Sequence, residues 1–419
     1  MKVWTQRLFK NYYSTPCIFS STFRLYCHRH LSSSVRSKSA LEGSQYTDYT
    51  HIQKYCSELA FGFDIDGVLL RGNTPLPGAS KTLKYLQQSK IPFVLLTNGG
   101  GKTEEERAAE LSEILDVPIL ENNLIQSHTP FKEFVCGTTT QAALENKTVL
   151  VIGGRGDKCR QVALKYGFKN VLTTADILMG YKKIWPFNQI FLSYYESNHC
   201  PLPLPINLDD LSKSLKIDAI LVFNDPRDWA LDIQIILDLL LSHKGYLGTY
   251  SSKNGDIRLP NCGWQQDEQP TLYFSNPDLF WAATYHLPRL GQGGFQAALH
   301  GVWNATTKNA QLNRRILGKP CNLAYSFAEQ VLLLNRPRTL GSHAPSLKKV
   351  WFVGDNQFTD IKGANEFQSQ HGIQWQSILV TTGVYKAGSA LEYKPKLIVS
   401  DVQEAVKSVV DAQLANAKP

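Results

Sequence analysis

The sequence has few cysteines, and their spacing suits no chemistry. Its 419 residues carry eight, at Cys17, Cys27, Cys56, Cys136, Cys159, Cys200, Cys262 and Cys321. No two form a Cys-x-x-Cys pair, and no Cys/His cluster has zinc-ligand spacing. That excludes a zinc module and argues for reduced, incidental thiols over a disulfide framework. No apolar run reaches the ~18–20 residues of a spanning helix; the best stretch, Leu231 to Leu241, is broken by Asp232 and Asp238. No repeat of solenoid length is present. Acids are missing from residues 1–41, which hold seven Lys or Arg before the first acid, Glu42. Those seven account for all but about one of the eight formal net positive charges. The rest of the chain is therefore near neutral and lacks the basic surface that nucleic-acid binding requires. The acid-free, Arg- and Ser-rich N-terminus reads as a mitochondrial import sequence. No uninterrupted apolar core follows its first charges, which excludes a secretory signal.

Two glycine motifs are incomplete. Gly99-Gly100-Gly101-Lys102-Thr103 resembles the end of a P-loop, but the first glycine of that motif would fall on Leu96. Lys102 remains a candidate to face a site. Val149 to Asp157 resembles the start of a dinucleotide fingerprint, but its third glycine would fall on Cys159, so the segment reads as a strand ending in a tight turn.

What is present is a globular composition, 43% apolar and 19% charged, in a length that suits two domains and a tail. After a polar linker at residues 42–56, short apolar strands alternate with helical patterns. Strands are expected at Ala60–Phe63, Ile91–Leu96, Thr148–Ile152, Ala219–Phe223, Thr271–Phe274, Val350–Val353, Ser377–Val380 and Leu397–Val399. Helices are expected near Ser80–Ser89 and Thr103–Leu115, the latter with acids in its first turn where they favour the helix dipole. The alternation predicts a doubly wound, Rossmann-like parallel sheet. Residues 200–205 and 245–270 read as irregular insertions.

Four acids stand out by position. Asp64 and Asp66 close one predicted strand, and Asp355 and Asp360 follow another far along the chain. Ligands bind at the carboxyl edge of open parallel sheets. Carboxylates gathered there repel one another unless a hard cation such as magnesium sits among them, and such a site also receives phosphate. Asp64 is then a candidate nucleophile giving an aspartyl-phosphate, and Asp66 the acid for the leaving oxygen. Thr97 and Asn98, closing a second strand at the same edge, can bond phosphoryl oxygens, and Lys319 supplies a cation. Asp-x-Asp-Gly, Thr-Asn and a lone Lys are each ordinary turn, cap or surface chemistry, whereas Gly354-Asp355 through Asp360 after a strand is more specific; their order and strand context make the four informative together. Asp225-Pro226-Arg227-Asp228-Trp229 follows another strand and reads equally as a substrate loop or a surface turn. His128 reads as structural.

Asp64-Ile65-Asp66-Gly67-Val68, Leu96-Thr97-Asn98, Gly318-Lys319-Pro320 and Gly354-Asp355 through Asp360 resemble the four motifs of haloacid dehalogenase-like hydrolases. Asn276-Pro277-Asp278 and Gly291-Gln292-Gly293-Gly294 are similar to the class IIA branch. Phe61 to Val68, Thr97 to Gly101 and Gln126-Ser127-His128-Thr129-Pro130 resemble its mitochondrial cat eye syndrome critical region type. The resemblance implies a core at 57–130 and 291–415, interrupted by a large α/β cap of C2 type at 131–290, with a targeting sequence and linker at 1–45. It further implies that Asp64, the backbone carbonyl of Asp66 and Asp355 ligate Mg2+. Asp360 would order the metal shell, and Thr97, Asn98 and Lys319 would bind phosphate. The expected function is a Mg-dependent mitochondrial, matrix phosphatase of a small phosphorylated metabolite, in glycerol-phosphate or phospholipid-precursor chemistry. The alternatives are a phosphotransferase on the same fold and a non-catalytic binding protein.

Overall fold

A computed structural model of the protein describes residues 49–137 and 142–416. The expected import sequence, with Cys17 and Cys27, lies outside the described residues. Three strands come first: β1 (Leu59–Phe63), β2 (Phe93–Leu96) and β3 (Leu124–Ile125). Five follow: β4 (Thr148–Ile152), β5 (Asn170–Leu172), β6 (Ala219–Val222), β7 (Thr271–Phe274) and β8 (Arg315–Ile316). The last are β9 (Lys349–Gly354), β10 (Gln374–Val380) and β11 (Leu397–Val399).

They form two parallel sheets. The first runs β11-β10-β9-β1-β2-β3. Its central strands β1 and β2 are wholly buried, as a sheet covered on both faces requires. The chain winds from β1 out to β3, leaves, and returns through β9 on the other side of β1. The order therefore reverses between β1 and β9, whose register pairs Phe63 with Val353. The next residues of each strand open into the crevice where ligands bind such sheets. The second sheet runs β8-β7-β6-β4-β5.

Three short strands, β3, β5 and β8, were invisible to the sequence patterns because two or three residues carry no periodicity. Strand β8 pairs with β7 inside the interval, about 290 to 318, in which the return to the core was expected. Helix Gln292–Thr307 also packs Phe295, Leu299 and Trp303 into the core of the second sheet. The second sheet thus takes in residues as far as 316. The polar stretch before β1 is not all linker. Residues Tyr49–Cys56 form a helix, because Ile52 and Cys56, one turn apart, bury against the first sheet's core. Helix Asn322–Leu340 follows Lys319 and takes up most of the interval before Gly354.

The units are tied together by the acids opening helix Glu104–Leu115. Glu105 and Glu106 pair with Lys165 (2.8 Å) and Lys158 (2.9 Å) of helix Lys158–Tyr166 in the inserted unit. Glu104 is buried, and accepts from the Tyr166 hydroxyl at 2.6 Å and the Thr129 hydroxyl at 2.8 Å. His128 packs here too, its Nδ1 2.7 Å from Tyr166 Oη and its ring stacked on Phe223 at 5.6 Å. Its place is structural, as expected. The six described cysteines are all free. Among the described residues no helix is long and apolar enough to cross a membrane.

Burial works to raise the Glu104 carboxyl, but Lys132 and the bonds from Tyr166 and Thr129 outweigh it and hold the pKa at about 2. A folded-state pKa below the unfolded value gives stability that is present above pH ~4.5 and is lost as pH falls toward about 2. Urea midpoints taken from neutral pH into that window are expected to fall more steeply for wild type than for Glu104→Gln. The difference should be on the order of a few kcal/mol.

Candidate active site

The crevice between β1 and β9 brings the four acids together. Asp64 continues β1, its N–H donating to Val353 O at 2.9 Å, and is 8% exposed. Asp355 follows β9 and is 2% exposed. A wide π-type turn, Gln357–Ile361, folds Asp360 back beneath them. Such turns concentrate at functional sites. Carboxylate oxygens of Asp64, Asp355 and Asp360 all lie within 4.8 Å of one another. Lys319, fully buried, puts Nζ 2.9 Å from Asp64 Oδ1 and 2.6 Å from Asp360 Oδ1.

Burial pushes the Asp64 carboxyl up to about 8, against the pull of Lys319 and with the repulsion of Asp360. Asp355 is raised well above the carboxylate range by burial, then by Asp360 and Asp64. Lys319 resists the lowering effect of burial because Asp360 and Asp64 hold its charge. One lysine cannot balance three buried carboxylates. The donors are all oxygen, which suits a hard divalent cation, and a cation there relieves the repulsion that raises these groups. The surroundings also leave room for the Asp355 carboxylate and little else. A Cβ on Gly383 would come within 1.8 Å of Asp355 Oδ2, which accepts from Val384 N at 2.6 Å.

The expected residues divide by role. Asp360 is saturated: Oδ1 takes Lys319, and Oδ2 accepts from the N–H groups of Asp355 and Asn356 at 3.0 Å each. It orders the Asp355 turn. Asp66 lies outside the three-carboxylate cluster and lines the open cleft, where burial lifts its carboxyl to about 6. Thr97 lines the cleft and accepts from Gly99 N at 2.9 Å. The Asn98 side chain departs from expectation. Its Nδ2 donates to Lys319 O at 3.1 Å, and its Oδ1 accepts from Lys319 N at 2.9 Å. The side chain clasps the lysine's backbone. The chain there must be glycine, since a Cβ on Gly318 would meet Ser275 O at 2.4 Å and Asn98 Oδ1 at 2.7 Å. Asn276 completes the junction, donating to Asn98 O at 2.9 Å.

The cleft holds about 590 Å³ and is roofed by loops from the carboxyl edge of the second sheet. Asp225 and Arg227 line it, whereas Asp228 turns away to cap helix Trp229–Leu241, accepting from Leu231 N at 3.2 Å. Lys102 faces the cleft as anticipated, though it pairs with Glu110 at 2.9 Å. Sequence reasoning gave no site role to Asp278, Arg107 or Arg289, all of which line it. Asp278 is the best supported of these: burial raises its carboxyl to about 7, and its Oδ1 has no hydrogen-bond partner. Its signal was the Asn276-Pro277-Asp278 turn closing β7, the same strand-end context that marked Asp64.

Carboxylates around one lysine, in the crevice of a parallel sheet beneath a second α/β unit, suit the chemistry of a hydrolase. Residues 61–169 match the family model described as haloacid dehalogenase-like hydrolase, and residues 316–405 match one described as HAD-hydrolase-like. A mitochondrial hydrolase of Saccharomyces cerevisiae is 38% identical over 377 residues, covering 86% of this chain and 97% of the relative. A Schizosaccharomyces pombe protein, named as a fusion of CMP-forming cardiolipin synthase and a mitochondrial hydrolase, is 36% identical over 377 residues. That match covers 89% of this chain but 57% of the fusion, so this chain spans little more than half of that relative. Among solved structures, a hypothetical protein from Pyrococcus horikoshii shares the fold, with a TM-score of 0.53 at 22% identity over 84% of this chain and 99% of that one. The chain belongs to the haloacid dehalogenase-like hydrolases, and it is an enzyme of that superfamily.

Replacing Lys319 by Met leaves Asp64 and Asp360 buried without their cation. Loss of one partner from a buried pair costs about 3–5 kcal/mol. Lys319→Met is therefore expected to lower the urea midpoint measured in chelator. The loss should be larger in mild alkali than in mild acid, where the carboxylates take up protons instead.

Proposed function

We propose that the protein is a magnesium-dependent phosphatase that hydrolyses a small phosphorylated metabolite through an aspartyl-phosphate on Asp64. The observation that carries this reading is the three buried carboxylates within 4.8 Å of one another, with Lys319 2.9 Å from the first. Asp64 and Asp355, with the Asp66 backbone carbonyl, would hold the metal, and Asp360 would order their shell. A bound Mg2+ supplies positive charge for the transferring phosphoryl group.

The chain's own residues account for the bond changes. An Asp64 oxygen attacks phosphorus in line with the ester oxygen, and the P–O ester bond breaks as Asp66 gives that oxygen a proton. The alcohol leaves. Water then attacks the aspartyl-phosphate, passing its proton to Asp66, and the bond to Asp64 breaks to release inorganic phosphate. Lys319 neutralises charge on the phosphoryl oxygens and on Asp64. Thr97 and the Asn98 turn receive those oxygens, Thr97 through its hydroxyl, while the Asn98 side chain holds Lys319 in place. The raised pKa of Asp66 supports its role, because an acid near the working pH transfers protons best.

The cleft volume of about 590 Å³ suits a metabolite. Its roof hinders bulky phosphoproteins. We place the enzyme in the mitochondrial matrix, supported by the acid-free N-terminus and by the names of both fungal relatives. The fusion of one relative to a cardiolipin synthase supports a substrate in glycerol-phosphate or phospholipid-precursor chemistry.

Hydrolysis of p-nitrophenyl phosphate, followed by free phosphate, tests the reading. Asp64→Asn should abolish turnover, and Asp66→Asn should lower it about 10²–10⁴-fold. Chelation should stop the reaction, and added Mg2+ should restore it. An Asp64→Asn protein as fast as wild type would refute the assignment. Phosphate passed to an added alcohol in preference to water would point to a phosphotransferase.

A further inference from the structure

Two segments of the inserted unit expose apolar side chains that, among the described residues, nothing covers. The first is the hairpin in which Phe280 pairs with Leu290 and Trp281 with Arg289. Leu279, Phe280, Trp281, Tyr285, Leu287 and Leu290 are each between 37% and 55% exposed. The second is Tyr181–Tyr195, where Phe187 is 69% and Ile190 79% exposed, beside the exposed Tyr181, Phe191 and Tyr194. A soluble surface rarely gathers large apolar groups in this way unless they meet a partner.

Both segments reach the same edge of the molecule. The hairpin follows β7 and rims the catalytic cleft, to which Phe280, Trp281 and Arg289 contribute walls. Its Thr284 lies over Gly72 of the core, where a Cβ would come within 2.4 Å of the hydroxyl. The second segment is pinned by Tyr194, whose hydroxyl accepts from Gly156 N at 2.7 Å in the turn after β4. Strands β4 and β7 are parallel in one sheet, so their following turns share its carboxyl edge.

The charge pattern selects the occupant. Residues 279–290 and 181–195 contain no Asp or Glu and hold Arg289, Lys182 and Lys183, of which Lys182 lies 3.6 Å from Glu196, just past the second segment. Arg289 stacks over Tyr285 at 4.5 Å from the ring centroid. Aromatic rings mixed with cations and free of acids match the boundary of an anionic bilayer, where Tyr and Trp sit at headgroup level and basic groups meet lipid phosphates. A face shared by two copies of this chain would find no acid within either segment to receive these cations, and Glu196, just beyond the second, is already paired with Lys182.

We propose that these two segments dock the protein on an anionic membrane surface, with the hairpin at the rim of the cleft held against it. The docking does not rest on the phosphatase reading above.

The test is co-sedimentation of the full-length protein with vesicles of phosphatidylcholine alone, and with vesicles in which part is replaced by phosphatidylglycerol. Binding is expected to the anionic vesicles, to weaken with added salt, and to fall at least ~10-fold in Leu279→Ser/Leu287→Ser and in Phe187→Ser/Ile190→Ser, since apolar area and charge together set such binding. Leu279, Leu287, Phe187 and Ile190 do not line the cleft, so both variants should hydrolyse p-nitrophenyl phosphate as wild type does. That activity also reports that they are folded, and its absence in wild type would count against the phosphatase reading without touching the docking. No binding by wild type, or equal binding by the variants, overturns the proposal. So does a light-scattering mass showing that the wild type is a dimer which these substitutions split, with no vesicle binding.

Discussion

Burying three carboxylates within 4.8 Å of one another is the constraint around which this molecule is organised. Like charges in a low-dielectric crevice repel strongly, and folding must supply a fixed counter-charge to hold them. Lys319 is that charge, and its position depends on chain drawn from both units. The lysine arrives just after β8, the last strand of the second sheet, and is clasped through its backbone by Asn98, which closes β2 of the first sheet. Asn276, after β7, grips the same Asn98 turn. The return from the inserted unit and the assembly of the charged centre are therefore one structural event. A small shift between the units would move Lys319 against Asp64 and Asp360.

This coupling gives the remaining contacts between the units a purpose. The acids in the first turn of helix Glu104–Leu115 do more than suit its dipole, because each reaches a residue of helix Lys158–Tyr166. The loop at Asn224–Arg227 closes the cleft from above while Gly154 N donates to Asp225 O at 3.1 Å, joining the turns that follow β4 and β6. The roof is thus fixed to the crevice of its own sheet, and that crevice repeats the architecture of the one beneath it.

Much of this was legible because the signals are local. Asp64 and Asp355 each follow an unbroken apolar run, and a buried parallel strand ending in an acid is readable without knowing its neighbour. That the two strands lie side by side came from the α/β alternation and the resemblance of the four motifs. What escaped depends on long-range pairing. Arg315–Ile316 becomes a strand only because Tyr273 and Phe274 lie beside it. Tyr49–Cys56 becomes a helix because Ile52 and Cys56 find the first sheet's core. The Asn98 side chain was assigned to phosphate because its residue type and position suited that task; its bonds to residue 319 cross 221 positions of sequence, and no spacing rule reports them. Arg107 lay on an ordinary-looking helix position and Arg289 in a stretch without a strand or helix pattern, and only the folded cleft distinguishes them from surface charges.

The central claim is that Asp64 attacks phosphorus. Borohydride trapping of the enzyme, acid-quenched during turnover of p-nitrophenyl phosphate, tests it most directly, because an acyl phosphate is reduced to the alcohol and its residue is then identified by peptide mass spectrometry. The account predicts homoserine at position 64, formed only when substrate is present. Reduction at a different acid, or trapping nowhere while phosphate is released, would contradict it.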